Sequence, residues 1–486
     1  MPVSELLSEF CSIRFRLTLI LHFKVAVRNA PYSGYSISME DKMKQHKLSI
    51  TLTLITVCIF IVWWWSYTMN GSSMASLPWE IYDNSLYLSG LLAIALMSVT
   101  MMLATRPAWL EAPLNGLDKM YLLHKWTGIL AVVFAALHWL IEMGDDIIKS
   151  LFGRSGRLPE QDFSGFIEMM RDAAEDVGEW AVYLVFVMLV LTLWKRFPYN
   201  IWRYVHRVMP VLYLLLAFHA VLLAPLAWWQ QPIGLLMVLL LTGGSVASIV
   251  SLRGKIGQSR QVNGSIHAIS TTTPGIIEVE CQLEKKWQGH SAGQFAFVTF
   301  DKIEGAHPFT IASSDNGNGQ VTFQIKALGD YTKRLDHKLK SGQSITVEGP
   351  YGQFNFKPKK STSTQIWIAG GIGVTPFLAK LEELQNQPEQ SLVVQMHYST
   401  HDSATDPFVK RLQQACICLP HIELHIYDSN ADKKMSTEQL LAQDSRKGTM
   451  EVWFCGPSGW GRSLEKELRE RLQGSLLFHK EAFELR

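Results

Sequence analysis

The sequence predicts a six-helix transmembrane bundle, then an antiparallel β-barrel domain, then a doubly wound α/β domain. Three observations predict it. Six apolar stretches of near-spanning length fill the chain before residue 253. After Gly254 the pattern changes to short alternating runs punctuated by Gly, Pro and Asn. From Gln365 onward, strand-like runs alternate with helical ones, and a Gly-rich turn follows the first strand. Composition agrees. The 486 residues are 48% apolar and 18% charged, against roughly 25% charged in a soluble domain. A disordered chain, a coiled coil and a wholly soluble enzyme are excluded. The net charge of +2 gives no electrostatic case for a nucleic-acid partner. The six Cys (11, 58, 281, 416, 418 and 455) form neither a disulfide framework nor a zinc spacing, so they read as reduced thiols.

The organisation follows: residues 1–45 a tail, 46–253 the bundle, 254–356 the barrel and 362–486 the α/β domain. The tail reads as flexible, or as lying before a true start at Met39 or Met43. The spans are expected near Leu48–Met69, Leu86–Thr105, Lys119–Met143, Trp180–Leu193, Tyr199–Leu223 and Pro232–Leu252. The fourth is short and has room to begin before Trp180. Their connections alternate in charge. Lys42, Lys44 and Lys47 precede the first span, and the following loop has Glu80 and Asp83 but no base. Arg106 and Lys119 come next, then a long acidic loop over 144–178, then Lys195, Arg196, Arg203 and Arg207. The fifth loop is uncharged, and Arg253, Lys255 and Arg260 follow the sixth span. Basic loops face the cytoplasm, which places the N-terminus and the C-terminal half there.

Four His lie in the spans: His124 and His138 in the third, His206 and His219 in the fifth. Ionisable groups in a bilayer are costly and usually functional, and a neutral imidazole ligates haem iron. Both spans run from inside to outside, so His124 pairs with His206 and His138 with His219. The two levels are roughly 20 Å apart at 1.5 Å per residue, which suits two stacked haems. The alternative, that each His merely bonds between helices, does not explain two matched pairs. Fourteen residues return to nearly one helix face, but the thirteen from His206 to His219 miss it by roughly 140°. Pro210 clashes with the carbonyl of His206, so a kink or wide turn between the two His is expected to restore the facing.

In the second half, strands are expected at Gly264–Ile269, Ile276–Gln282, Gln294–Thr299, Gly319–Ile325 and Ser344–Glu348. Among them stand His307-Pro308-Phe309-Thr310-Ile311-Ala312-Ser313-Ser314, Gly329-Asp330-Tyr331-Thr332 and Gly349-Pro350-Tyr351-Gly352. The second precedes a helical stretch, so its Thr hydroxyl and amides suit a phosphate. The strand Gln365–Ala369 leads into Gly370-Gly371-Ile372-Gly373-Val374-Thr375-Pro376 and the helical Phe377–Leu384, the arrangement that binds a dinucleotide. Further strands are expected at Ser391–Tyr398, Ile422–Ile426 and Thr449–Cys455. The last ends in Cys455-Gly456-Pro457, which sets a thiol beside the ligand crevice.

The order of these motifs from residue 46 to 486 resembles the NADPH oxidase and ferric reductase superfamily, with a soluble half like a ferredoxin–NADP reductase. Leu110-Glu111, Gly116-Leu117-Asp118, Tyr121 and His124 are similar to its bacterial ferric-reductase-like members. The resemblance implies FAD, two b-type haems on His124, His138, His206 and His219, and NADPH or NADH as substrate. It implies that His307, Pro308, Phe309 and Thr310 line the flavin ring, and that Gly329, Asp330, Tyr331 and Thr332 lie near the FAD phosphates. It implies that Gly370, Gly371, Gly373, Thr375 and Pro376 bind the dinucleotide, with Cys455, Gly456 and Pro457 near the nicotinamide. Phe483 matches a C-terminal aromatic that stacks on the flavin, although three residues follow it here. The membrane is then the bacterial inner membrane, and no obligatory protein partner is implied.

The expected activity is transmembrane electron transfer from cytosolic NAD(P)H to an external acceptor. A membrane-anchored flavin reductase without haem is the alternative, and a non-catalytic transporter or redox sensor another. Lys125 and Arg207, each beside an inner His, suit haem propionates or simple interface anchoring. The stretch Tyr398-Ser399-Thr400-His401-Asp402 holds no Arg for a 2′-phosphate, and Lys433 and Lys434 offer a substitute, so both nucleotides are expected to serve. Glu142, one turn beyond His138, and the acidic Glu80 and Asp83 favour a ferric chelate or other oxidant over a dedicated oxygen pocket.

Overall fold

The computed structural model describes residues 39–480, except 70–74, 155, 158–162, 195, 274, 358–364, 388–392, 432–434, 444–449 and 473–475. The tail before residue 39, together with Phe483, Lys433 and Lys434, lies outside the described residues. Among the described residues, six helices are long and apolar enough to cross a membrane. We label them α1 (Met39–Met69), α2 (Leu77–Ala104), α3 (Leu117–Glu142), α4 (Phe166–Leu193), the pair α5 (Tyr199–His206) and α6 (Met209–Leu223), and α7 (Pro232–Leu252). Many of their large apolar side chains are exposed, among them Leu54, Ile61, Trp65, Val187, Val190, Leu235 and Leu239. In water such a surface would drive association; in lipid it is the outer wall.

Two spans start earlier than expected. α2 begins at Leu77, so Glu80 and Asp83 stand on helix rather than loop, where the positive N-terminal end of the dipole favours them. α4 begins at Phe166 instead of Trp180. Its Glu168, Arg171, Asp172, Glu175, Asp176 and Glu179 fall on one stripe at 100° per residue. Ala174, Ala181 and Val185 are buried away from that stripe. A charged stripe lowers the local hydropathy without stopping the helix.

The fifth span is broken, as Pro210 demands, though by a tight turn rather than a wide one. Arg207, Val208 and Val211 donate to carbonyls three residues back, at 3.0–3.2 Å. Such overwinding adds roughly 20° per residue, and α6 restarts at Met209 with proline in its first turn.

The antiparallel sheet comprises β1 (Gln261–Thr273), β2 (Ile276–Leu283), β3 (Phe295–Thr299), β4 (His307–Thr310), β5 (Gln320–Lys326) and β6 (Ser344–Tyr351), in the order β4-β3-β6-β1-β2-β5. A bridge from Ile311 to Phe323 joins the two ends and closes the barrel. Val279, Val298, Ile311, Phe323 and Val347 fill it. The parallel sheet has β7 (Gln365–Gly370), β8 (Val394–Thr400), β9 (Ile422–Asp428), β10 (Met450–Cys455) and β11 (Leu476–Lys480), in the order β11-β10-β7-β8-β9. Here α8 (Thr375–Asn386), α9 (Pro407–Ile417), α10 (Thr437–Gln443) and α11 (Ser458–Leu472) alternate with the strands. The strands β4 and β11 were not anticipated from sequence. β4 is four residues long, and β11 carries His479 and Lys480. The His479 ring bonds to Glu451 (2.9 Å) and Lys480 pairs with Glu465 (2.5 Å), partners 28 and 15 residues away. Barrel and α/β domain are tied by α8, whose Glu382 accepts from the Ser314 amide at 2.9 Å, and by Arg411 on Glu278 at 2.6 Å.

Within β8, His397 is fully buried. Its Nδ1 lies 3.0 Å from the Tyr427 hydroxyl, and its ring stacks on His425 at 4.8 Å, which itself lies 3.2 Å from Glu423. Burial, then the neighbouring His425, pushes its pKa down to about 3 from 6.5. The unfolded chain therefore takes up a proton near pH 6.5 that the folded chain refuses. Stability is full above pH 6.5 and falls by about 1.4 kcal/mol per pH unit on acidification toward pH 3. A His397→Gln variant is expected to flatten that slope between pH 6.5 and 5 in denaturant unfolding of the detergent-solubilised protein. Equal slopes in the two proteins would refute the assignment.

Candidate functional site

The bundle brings the four His together in the pairs that the spacing predicts. His124 and His206 have ring centroids 6.3 Å apart, and so have His138 and His219. The ring planes cross at 76° and 85°. His124 Nδ1 lies 2.9 Å from the Thr100 carbonyl, His138 Nδ1 2.9 Å from that of Leu86, and His219 Nδ1 2.7 Å from that of Ala174. A carbonyl only accepts, so Nδ1 carries the proton and Nε2 keeps its lone pair. That is the tautomer a metal-ligating imidazole needs. His206 differs: its Nδ1 is buried without a partner, and its ring stacks on Trp202 at 4.9 Å.

The residues fit haem. Two imidazoles that would hold one metal atom between them, with bonds of about 2.0 Å and about 1.1 Å from each ring centre to its nitrogen, would stand about 6.2 Å apart. Among the described residues no group of three or more His, Cys, Asp or Glu could hold a bare metal ion, whereas haem iron takes only two protein ligands. Glycines flank the outer pair. A Cβ on Gly90 would lie 3.0 Å from His138, and one on Gly178 would collide with the His219 ring.

In the barrel, β4 presents His307, which stacks on Tyr331 at 4.1 Å and 18°. His307 Nε2 and the Tyr331 hydroxyl are buried without partners, open to a bound ligand. Burial lowers the His307 pKa and lifts the Tyr331 phenol to about 12, so both are neutral at pH 7. This pairing joins two motifs that sequence reading kept separate. The Thr332 hydroxyl, by contrast, accepts from the amides of Leu328 and Gly329 at 3.0 Å each. It closes its own loop, and only short helical turns over 332–338 follow.

The dinucleotide turn lies at the carboxyl ends of β7 and β10. Ala369 stands opposite Cys455 in register, and Gly370 opposite Ser399. Gly371 has φ +53°, and a Cβ on Gly373 would collide with the Cys455 carbonyl. Gly370 packs as tightly on Trp460 and Pro457. Thus Gly370–Pro376 and Cys455–Pro457, 79 or more residues apart, pack together at one end of the sheet, with Cys455 buried in the hydrophobic core beneath them. Thr375 donates its hydroxyl to the Ile372 carbonyl at 3.1 Å and so caps the turn. Beyond β8, Asp402 and Asp406 accept from Thr405 (2.8 Å) and Tyr398 (2.7 Å), and Asp428 accepts from Ser403 (2.6 Å).

Sequence reading missed three groups. Arg203, one turn before His206, donates to the Glu304 carbonyl at 3.2 Å and ties the inner His helix to the loop before β4. Arg106 and Glu111 join the bundle to β6. At the end of the bundle away from the barrel, Arg157 lies 5.1 Å over Trp79 and 3.9 Å from Asp145, and Lys149 pairs with Asp145. The rim near Glu142 is therefore partly neutralised, which the acidic count along the chain concealed. The basic residue comes from a loop folded back onto α2, a signal absent from local sequence.

Comparison with known proteins finds two matched segments. Residues 89–217 match the family described as ferric reductase like transmembrane component, and residues 261–355 match an FAD-binding domain family. Ferric reduction oxidase 4 of Arabidopsis thaliana is 32% identical over 163 residues, 30% of this chain and 22% of that protein. NADH-cytochrome b5 reductase 2 of Candida albicans is 25% identical over 204 residues, 39% of this chain and 63% of that one. The crystal structure of a flavohemoglobin from Malassezia yamatoensis covers 84% of this chain and 100% of that one, with a TM-score of 0.41 and 15% identity. The chain spans less than two thirds of the length of these curated relatives. With the two matched segments standing in this order before a parallel five-stranded sheet, the chain is similar to the ferric reductase and NADPH oxidase superfamily over those segments.

Proposed function

We propose that this protein moves electrons across a membrane, from cytosolic NAD(P)H through FAD and two b-type haems to an acceptor outside. The carrying observation is the pair of equal 6.3 Å His–His spacings at two depths of a bundle that continues into an FAD-binding domain. When bound, the nicotinamide would give two electrons as hydride, the flavin would release them singly, and the haem irons would pass them one at a time. For each nucleotide oxidised, one proton stays on the cytoplasmic side and two electrons leave on the other.

The chain's own residues bind, orient and shield. Gly370, Gly371 and Gly373 leave room for a pyrophosphate against backbone amides. Cys455, Gly456 and Pro457 floor the crevice where the nicotinamide would lie. His307, Pro308, Phe309, Thr310 and Tyr331 form the flavin wall. Gly329, Asp330 and Thr332 flank it, and Phe483 remains proposed as the stacking aromatic. His124, His206, His138 and His219 present Nε2 to the two irons. The alternation of basic loops supports cytoplasmic placement of both the N-terminus and the reductase half. For the acceptor we propose a ferric chelate or other oxidant, with oxygen reduced opportunistically. The name of the Arabidopsis relative supports this, while Arg157 and Lys149 weaken the purely electrostatic argument for it.

The test is an absorption spectrum of the purified protein, followed by acceptor competition in liposomes loaded with NADPH and FAD. Two reduced b-type haems per chain are expected, with electrons going mainly to ferric chelate. Haem-free protein that still oxidises NAD(P)H would make it a membrane-anchored flavin reductase. Superoxide taking nearly all electrons with chelate present would discard the acceptor proposal.

A further inference from the structure

Two buried carboxylates bridge the bundle and the barrel. Glu111, in the loop between α2 and α3, is 6% exposed, and Glu348 on β6 is 3% exposed. Glu111 Oε2 accepts from Arg260 Nη1 at 2.6 Å, and its Oε1 accepts from the Gly352 amide at 2.9 Å. Glu348 accepts from Arg106 at 3.1 Å, from the Tyr351 hydroxyl at 2.7 Å and from Gln261 at 3.3 Å. Each contact crosses the domain boundary or braces one that does. The guanidinium of Arg106 lies 4.6 Å over Phe297 and that of Arg260 4.7 Å over Tyr351. Gly257, at φ +70°, passes so close to Glu348 that a Cβ would collide with the carboxylate. Arg106 holds φ +55°, a left-handed conformation that non-glycine residues rarely adopt.

Buried ion pairs contribute little net stability, because desolvation offsets their attraction. Two of them, with a strained Arg, are better explained by the geometry they fix. That geometry joins the two redox regions. On the barrel side, Phe295 stands opposite both Tyr351 and Thr310, so β6 is one strand from the flavin wall on β4. On the bundle side, Arg106 bonds the Tyr121 side chain on α3, one turn before His124.

We propose that Glu111, Arg106, Arg260 and Glu348 are positioning residues: a two-point clasp that sets the flavin wall against the inner His pair and so governs passage of electrons from flavin to bundle. This rests on the electron-transfer reading above. Electron transfer weakens as the distance between donor and acceptor grows, and a barrel free to swing would lengthen that distance, which is why a clasp rather than a loose tether is needed.

The experiment uses the full-length protein in detergent, as wild type, Glu111→Gln, Arg260→Lys and the exchange Glu111→Arg with Arg260→Glu. Two readouts are taken. Stopped-flow absorption follows flavin bleaching by NADH and the later haem band. Hydrogen exchange follows the peptide containing the Gly352 amide and needs no haem. In Glu111→Gln, flavin bleaching is expected at the wild-type rate, haem reduction slowed on the order of tenfold or more, and Gly352 exchange accelerated. Arg260→Lys should fall between it and wild type, and the exchange variant should recover part of the haem step. Unchanged haem reduction with accelerated exchange would overturn the positioning role. Equal losses in bleaching and haem reduction would reduce the clasp to general stability. If Glu111→Gln does not fold, Arg260→Lys carries both comparisons, and unchanged values there refute the proposal. Wild-type protein without haem would overturn the electron-transfer reading instead, while unaltered Gly352 exchange in folded Glu111→Gln would still reject the clasp.

Discussion

Replacing His219 by Ala is expected to stop transfer to an outside acceptor while leaving flavin reduction by NAD(P)H intact. The ring lies 6.3 Å from His138, and its Nδ1 is fixed on the Ala174 carbonyl at 2.7 Å. Loss of a partner behind a ligand already costs roughly 10- to 100-fold in affinity or activity, so loss of the ligand should cost on the order of a hundredfold or more. The outer level is roughly 20 Å from the inner one, and the flavin site is farther still, so bleaching by NAD(P)H has no reason to change. The haem content should fall from two to one per chain, and His138→Ala should behave alike. A His219→Ala protein with two haems and full acceptor reduction would remove the outer pair from the mechanism.

Gly373→Ala should show the opposite split. A Cβ there would run into the Cys455 carbonyl oxygen, with the carbonyl carbon at 2.7 Å and the Gly456 nitrogen at 2.9 Å. All three are backbone atoms between paired strands, so no side chain can swing aside. Relief requires β7 and β10 to shift where the two turns pack together, an overpacking cost of roughly 1–3 kcal/mol. Expressed in nucleotide use, that is up to on the order of a hundredfold in kcat/KM. Chemical reduction by dithionite should still reach the haems. Gly371→Ala is the control. Its φ of +53° is strained for a side chain, yet nothing lies within 4 Å of the new Cβ, so only the roughly 1–2 kcal/mol left-handed penalty applies. Wild-type kcat and KM in Gly373→Ala would show that the turn is not where the dinucleotide binds.

Much of this protein is legible along the chain because its largest forces are local. A bilayer demands about twenty apolar residues per span, so the number of spans stands in the sequence. The glycines of Gly370–Gly373 and the proline at 210 act through their own backbone sterics, so the turn and the break in the fifth span could be foreseen. The fourth span was under-read because six charged residues share one stripe of a helix whose other side is buried, and a window average cannot see sides. The strand β11 was missed because His479 and Lys480 are held by distant partners. The pairing of the His was expected from their positions, but only the packing of both His-bearing spans against α2 and α4 sets the 6.3 Å between the rings of each pair. The stack of His307 on Tyr331, the arrival of Arg157 at the acidic rim and the clasp on Glu111 and Glu348 have no local signature. They join residues up to 242 positions apart, and a charge or ring finds such a partner only after the chain has folded.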